Sequence, residues 1–375
     1  MPQGNSDSVA LAHDYLLVMR GAERTFAAIA DIAPSAPIYT LLYDREGTAG
    51  RFARHPVIAS GLQHLRVRQK KFRALLPLYP VAAANLSTNR HDLVLSSSSA
   101  FAHGVPVREG AVHVCYCHTP FRYAWFERER TLGDLPSALR PFVGATLNGI
   151  RRRDVQVARR VTCYVANSRL SQERILRFWN REAPIVHPPV EVERFSSAEA
   201  EDFFLVVSEV VRHKRIPLAL EAARRANRKV VVVGEGPDLA RLRAKYAGVH
   251  EFRGRVSDSE LEDLYPRAAA LIVPAVEEFG IAAVESQAAG RPVVGVAVGG
   301  LTETVVPGET GELVPKDDVD ALAEVLAYMD FSRFSSQRIR RNAERFTTEL
   351  FRRRFVAEVR RAQGRPAHSQ LALTA

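Results

Sequence analysis

The chain has 375 residues, 46% hydrophobic and 25% charged, enough for about two domains with a sizeable core in each. No apolar run approaches the ~18–20 residues of a membrane span, and three cysteines cannot build a disulfide framework, so a reducing cytoplasm is expected. The net charge of +10 favours polyanionic partners such as nucleotide phosphates or an anionic membrane face; no zinc-finger, RNA-recognition or basic-zipper pattern points to nucleic acid.

The opening residues lack the basic start and apolar centre of a secretory signal. Short apolar, β-branched runs then alternate with helical stretches, the pattern of parallel α/β sheets. In the first half the expected strands are Val9–His13, Pro37–Leu42, Asp92–Ser96, Val112–Cys117 and Val161–Ala166. Residues 64–75 interleave cations with Leu65, Phe72 and Leu75. That stretch reads either as a solvated basic face or as an amphipathic helix lying at the inner face of a membrane. Cys115 and Cys117 alternate along an apolar strand and read as core fillers, with no second Cys/His pair nearby to complete a metal site. Pro188 and Pro189 continue neither sheet nor helix and mark a stiff hinge.

Beyond the hinge the expected strands are Phe203–Val207, Val230–Val233, Val249–Phe252, Ala268–Val273 and Pro292–Val296. Gly234 and Gly236 end one of them and read as a turn, because the third glycine of a dinucleotide fingerprint is missing. Ser257 with Glu260 forms a capping box. The aspartates at 317, 318 and 320 read as helix caps, not as a metal-binding pair. One amphipathic helix is expected over Ser335–Arg361, followed by a polar tail from Gly364.

The most informative segment is 276–286, where Glu277 and Glu285 straddle a Phe-Gly pair just after the apolar run Ala268–Val273. The run reads as a buried parallel strand and Ile281–Ala289 as the helix behind it. Glu277 is then expected at the carboxyl end of a strand, where open α/β sheets bind ligands. Backbone N–H groups of Phe279, Gly280 and Ile281 at a helix start suit a phosphate, and Glu285, about one turn in, suits a nucleoside hydroxyl. A diphosphate carrying a sugar at each end satisfies all of these parts.

The remaining motifs follow in order: His13-Asp14-Tyr15, Gly21-Ala22-Glu23, His118-Thr119-Pro120 and His187-Pro188-Pro189 in the first half, then Ser208-Glu209-Val210, Lys214, Gly234-Glu235-Gly236, Glu277-Glu278-Phe279-Gly280, Glu285 and Gly299-Gly300-Leu301. Over nearly the whole chain this resembles the retaining GT-B glycosyltransferases of glycosyltransferase family 4, close to the mannosyltransferase-like subgroup. The resemblance implies two Rossmann-like domains facing across an interdomain cleft: an acceptor domain of residues 1–190 and a donor domain of 191–344. A helix of about 345–362 would pack back on the first domain, ahead of a tail from 363 to 375. It also implies transfer of a sugar, with retained configuration, from a nucleotide-diphosphate donor such as GDP-mannose to an acceptor hydroxyl on a glycan, a lipid-linked glycan or a natural product. No metal or further cofactor is implied.

Carried over residue by residue, Glu277 stands beside the donor sugar hydroxyls and Lys214 on the diphosphate. Phe279, Gly280 and Ile281 offer backbone donors, and Glu285 takes the ribose. Ser208 and Arg212 lie beside the donor. Gly21 and Ala22 bring backbone toward the phosphates, where lack of a bulky side chain permits approach. His118 stands near the transferred sugar; the lesser alternative is a core histidine satisfied by a backbone carbonyl. Asp14, Arg122 and Tyr123 are expected on the acceptor side. Two positions depart from the subgroup pattern: Glu209 replaces an arginine, and Ala22 replaces a second glycine. Glu209 supports an alternative, a non-catalytic GT-B partner subunit that kept the fold and lost turnover. A sugar-nucleotide epimerase would need an acid/base constellation of its own, which the sequence does not offer.

Overall fold

The computed structural model describes residues 8–65 and 75–365. The basic stretch 64–75, except its ends, and nearly all of the tail from Gly364 lie outside the described residues. The chain divides into two compact units, Met1–His187 with Phe351–Ala375, and Pro188–Leu350. No helix among the described residues is long and apolar enough to cross a membrane.

The first unit runs β1 (Val9–His13), α1 (Gly21–Ala30), β2 (Ile38–Thr40), β3 (Val57–Ala59), α2 (Tyr79–Ala84), β4 (Leu93–Ser98), β5 (Val112–Cys117), α3 (Arg128–Gly133), α4 (Arg140–Ala158), β6 (Cys163–Ala166) and α5 (Arg169–Trp179). Its six strands are ordered β3-β2-β1-β4-β5-β6, and every pairing is parallel. Alternate side chains of a strand point to opposite faces, and both faces here are covered. Leu11, Leu93, Leu95 and Val114 enter a core with Phe26 and Ile29 of α1. Ala10, Ala12 and Val94 enter a second core, and Cys115, Cys117 and Tyr164 a third. The two cysteines are buried and free, and burial raises both thiols above their ordinary range.

The second unit repeats the plan with β7 (Phe204–Val207), α6 (Ile216–Arg225), β8 (Val230–Val233), α7 (Leu239–Lys245), β9 (Glu251–Gly254), α8 (Asp258–Arg267), β10 (Ala270–Val273), α9 (Ile281–Ala288), β11 (Val293–Val296), α10 (Leu301–Thr304), β12 (Gly311–Val314), α11 (Val319–Tyr328) and α12 (Ser336–Ala343). Its sheet, again all parallel, is ordered β12-β11-β10-β7-β8-β9. Leu205, Val231, Leu271 and Val293 face one core, and Val206, Val232, Ile272 and Val294 the other. Residues apolar at every position form strands buried on both faces. Two such sheets, each flanked by helices, are the two Rossmann-like domains of a GT-B fold.

Three local outcomes follow from the caps and breaks. Ser257 Oγ accepts the Glu260 amide at 3.2 Å, and Asp318 Oδ1 accepts those of Asp320 and Ala321 at 3.1 and 2.9 Å. The single helix expected over Ser335–Arg361 is in fact two: α12 ends at Ala343, Thr347 is extended, and α13 covers Thr348–Ala362. The break has a tertiary cause, since the Phe346 carbonyl accepts the Val190 amide at 2.8 Å instead of continuing a helix. Phe351, Phe355 and Val359 of α13 complete the core under β1 and β4. Strands β3 and β12 have no counterpart among the expected ones. Each is a short edge strand, and β12 opens on Gly311, whose missing side chain lets it lie on the Val293 backbone.

Candidate active site

In both sheets the strand order reverses beside the first strand of the unit, between β1 and β4 and between β7 and β10. Loops leaving the carboxyl ends of such strand pairs splay apart, and open α/β sheets bind ligands in the resulting crevice. The second unit places charged side chains on both loops. The loop after β7 carries Ser208, Glu209, Arg212 and Lys214, and the loop after β10 carries Glu277, Phe279 and Gly280.

These loops meet through an ion pair. Lys214 Nζ lies 2.7 and 2.6 Å from the two carboxylate oxygens of Glu277, and the side chains are only 21% and 19% exposed. Lys214 is held by a tight turn, Arg212–Lys214, closed by Arg215 in a left-handed conformation at the start of α6. Arg212 is exposed on that turn, whereas Ser208 and Glu209 are half-buried. The Ser208 amide donates to Val233 O at 3.0 Å and the Val210 amide to Glu235 O at 2.8 Å.

Gly234 and Gly236 do more than turn the chain. A Cβ on either would overlap the carbonyl of Ser208 or Val210, so both are needed for the β8 loop to lie flat against the 208–210 backbone. The loop bearing Glu277 is braced in the same way from β11. The Gly300 amide donates to Glu277 O at 2.8 Å, and a Cβ on Gly300 would overlap the backbone of Phe279. The Phe279 ring is buried, edge-on to Phe346 at 5.3 Å, which leaves its backbone and that of Gly280 at the helix end. Gly280 caps α9 with a φ of 93°. The first amide that bonds back within α9 is that of Ala283, to Gly280 O at 3.0 Å, so the amides preceding it mark the positive end of the helix. Glu285 stands one turn further, and its Oε2 accepts the hydroxyl of Tyr265 at 2.8 Å.

The first unit treats its own strand-order reversal differently. Asp14, which follows β1, is buried, and its carboxylate accepts the amides of Ser99, Phe101 and Ala102 at 2.6, 2.7 and 2.6 Å and the Ser98 hydroxyl at 3.3 Å. It ties the loop after β4 to the loop after β1, with its oxygens occupied by the protein itself. His13 stacks on Phe26 at 4.7 Å with Nδ1 3.0 Å from Ser97 O; burial lowers its pKa to about 3, so it is neutral.

His118 is half-buried at the end of β5, with Nε2 2.9 Å from the Ser97 hydroxyl and its ring edge-on to Tyr116. The following loop carries Arg122, 3.6 Å from Glu127, and Tyr123, edge-on to Phe121. That loop is pinned by residues with no local sequence signal: Trp125 Nε1 donates to buried Asp154 at 2.5 Å, and Arg174 stacks over Phe126 while donating to Thr119. Gly21 and Ala22 open α1, where Glu23 accepts the Arg20 amide at 3.1 Å. Among the described residues, no three His, Cys, Asp or Glu side chains are grouped to hold a metal ion.

Residues 190–346 match the profile of the family described as glycosyl transferases group 1. Among curated proteins the chain is similar to a D-inositol 3-phosphate glycosyltransferase of Streptomyces avermitilis, with 29% identity over 215 residues, 46% of this chain and 45% of that one. The alignment thus spans less than half the length of that relative. Among solved structures, Anabaena HepE in complex with UDP and glucose superposes with a TM-score of 0.67 at 15% identity, covering 94% of this chain and 99% of that one. Sucrose-phosphate synthase of Thermosynechococcus elongatus gives 0.71 at 17% identity, covering 95% and 99%. The chain therefore has the GT-B fold and is related, through its second unit, to the group 1 glycosyl transferases.

Proposed function

We propose that the chain is a retaining glycosyltransferase of the family 4 type, moving a sugar from a nucleotide-diphosphate donor to an acceptor hydroxyl without an obligatory metal. One observation carries the reading: the Lys214–Glu277 pair stands on the two loops that flank the β7/β10 strand-order reversal, beside the positive end of α9. The similarity of residues 190–346 to the group 1 glycosyl transferases supports it.

In this reading the diphosphate competes with the Glu277 carboxylate for the Lys214 ammonium, and Glu277 turns to the hydroxyls of the donor sugar. The amides of Phe279, Gly280 and Ile281 then meet the phosphates and Glu285 the ribose, with Ser208 and Arg212 beside them. Departure of the nucleotide concentrates negative charge on the phosphates, which a preset cation and oriented amides stabilise more in the transition state than in the ground state. No carboxylate is assigned as a nucleophile, so displacement is expected on one face of the sugar, the leaving phosphate helping to take the acceptor proton. The first unit, with His118, Arg122 and Tyr123, is assigned to the acceptor, and Asp14 serves it by holding the loop after β4.

A thermal-shift panel of nucleotide sugars, GDP-mannose and UDP-glucose among them, tests the donor assignment, because a ligand bound only by the folded state raises its midpoint. Mass spectrometry of the best donor with and without the chain should show nucleoside diphosphate released. Glu277→Gln should abolish release without weakening nucleoside diphosphate binding, since it removes the carboxylate that competes for Lys214. Neither stabilisation nor release with any donor would overturn the reading and favour the partner-subunit alternative.

A further inference from the structure

We infer that Tyr265 sets the direction of Glu285 and thereby the affinity of the site for the ribose hydroxyls of a nucleoside diphosphate; this rests on the assignment of Glu285 given above. Tyr265 lies on α8 with none of its surface exposed, in the core that also holds Phe279, Ala283 and Val284. Its ring packs edge-on against Phe195 at 5.4 Å, so its position is fixed by packing from several sides. A phenol hydroxyl sunk in such a core needs a partner. Its partner is Glu285 Oε2, at 2.8 Å.

The consequence reaches beyond satisfying the phenol. A glutamate side chain has several rotatable bonds, and ordering it on ligand binding costs conformational entropy. A carboxylate tethered through one oxygen to a rigid ring samples fewer side-chain rotamers, which narrows the directions open to the group. Tyr265 is thus a positioning residue, acting through Glu285 on one end of the ligand only. A merely structural role would weaken the fold without distinguishing one part of the ligand from another.

Calorimetric titration of the native chain and of Tyr265→Phe with UDP or GDP, whichever binds, and with its 2′,3′-dideoxy counterpart separates these roles. The native chain should bind the ribose form about tenfold more tightly than the dideoxy form, the scale of one lost hydrogen bond to a charged group. Tyr265→Phe keeps the ring volume, and should weaken the ribose form by several-fold while leaving the dideoxy form unchanged. In a Glu285→Ala background, adding Tyr265→Phe should change neither affinity further, so that a double-mutant cycle reads a coupling as large as the whole Tyr265→Phe effect. An undiminished ribose preference in Tyr265→Phe would overturn the inference. Absence of the preference in the native chain would overturn the Glu285 assignment itself and the inference with it.

Discussion

The two units share one strand order but use its reversal point in opposite ways. Beside β1 and β4, the charge of Asp14 is buried and consumed by three backbone amides and a hydroxyl. Beside β7 and β10, Lys214 and Glu277 are partly exposed and satisfied by each other, on loops made thin by Gly234, Gly236 and Gly300. A carboxylate saturated by its own backbone organises a loop. An ion pair reachable by solvent can change partners when a stronger anion arrives. The same topology therefore yields a scaffold in one unit and a candidate ligand site in the other.

The largest expected effect breaks the scaffold half of this contrast. Asp14→Ala leaves two buried amides and one part-buried amide without an acceptor and should cost roughly 3–5 kcal/mol of unfolding free energy, measured by denaturant titration. A loss below about 1 kcal/mol would mean that water replaces the carboxylate and that the loop needs no tether. Next comes Gly300→Ala, whose added carbon must displace the Phe279 backbone. It should destabilise the second unit by about 2–3 kcal/mol and abolish nucleoside diphosphate binding, by the overpacking cost of a well-filled interior. Gly61→Ala, with open space around the new carbon, is the control and should change little.

Lys214→Ala sharpens the other half. It should weaken nucleoside diphosphate binding by roughly 2–4 kcal/mol while altering stability far less, because its pair is partly solvent-exposed. Unaltered affinity in calorimetry would move the phosphate contact to another cation, with Arg212 the first to examine. The last effect is one of pH. His13 and His113 are held neutral by burial, each with a pKa lowered from 6.5 to about 3. In that window the unfolded chain binds more protons than the folded one, so the stability present above pH 6.5 declines as pH falls toward 3. His113→Gln should shallow the decline by about one proton's worth of slope, read from denaturant midpoints at several pH values; an unchanged slope would show that His113 is not held neutral.

Much of this molecule was legible in its sequence because it is local. Runs such as Val230–Val233 are apolar at every position, which only a strand covered on both faces tolerates. The caps at Ser257 and Asp318 lie within three residues of the amides they accept. The spacing from Glu277 to Glu285 already put one carboxylate on a loop and the other one turn into a helix. What escaped the sequence depends on distant partners. A Gly-x-Gly at 234–236 reads as a turn until the Ser208 and Val210 carbonyls lie against it. The helix expected over Ser335–Arg361 is broken by an amide from Val190. Lys214 and Glu277, 63 residues apart, are joined only because β7 and β10 become neighbours. Tyr265 finds Glu285 only when α8 and α9 share a core. Periodicity and capping act over one or two turns and are written in the residues themselves. Strand order, close backbone approach and charge pairing arise when segments far apart in the chain are packed together, and only the tertiary structure decides them.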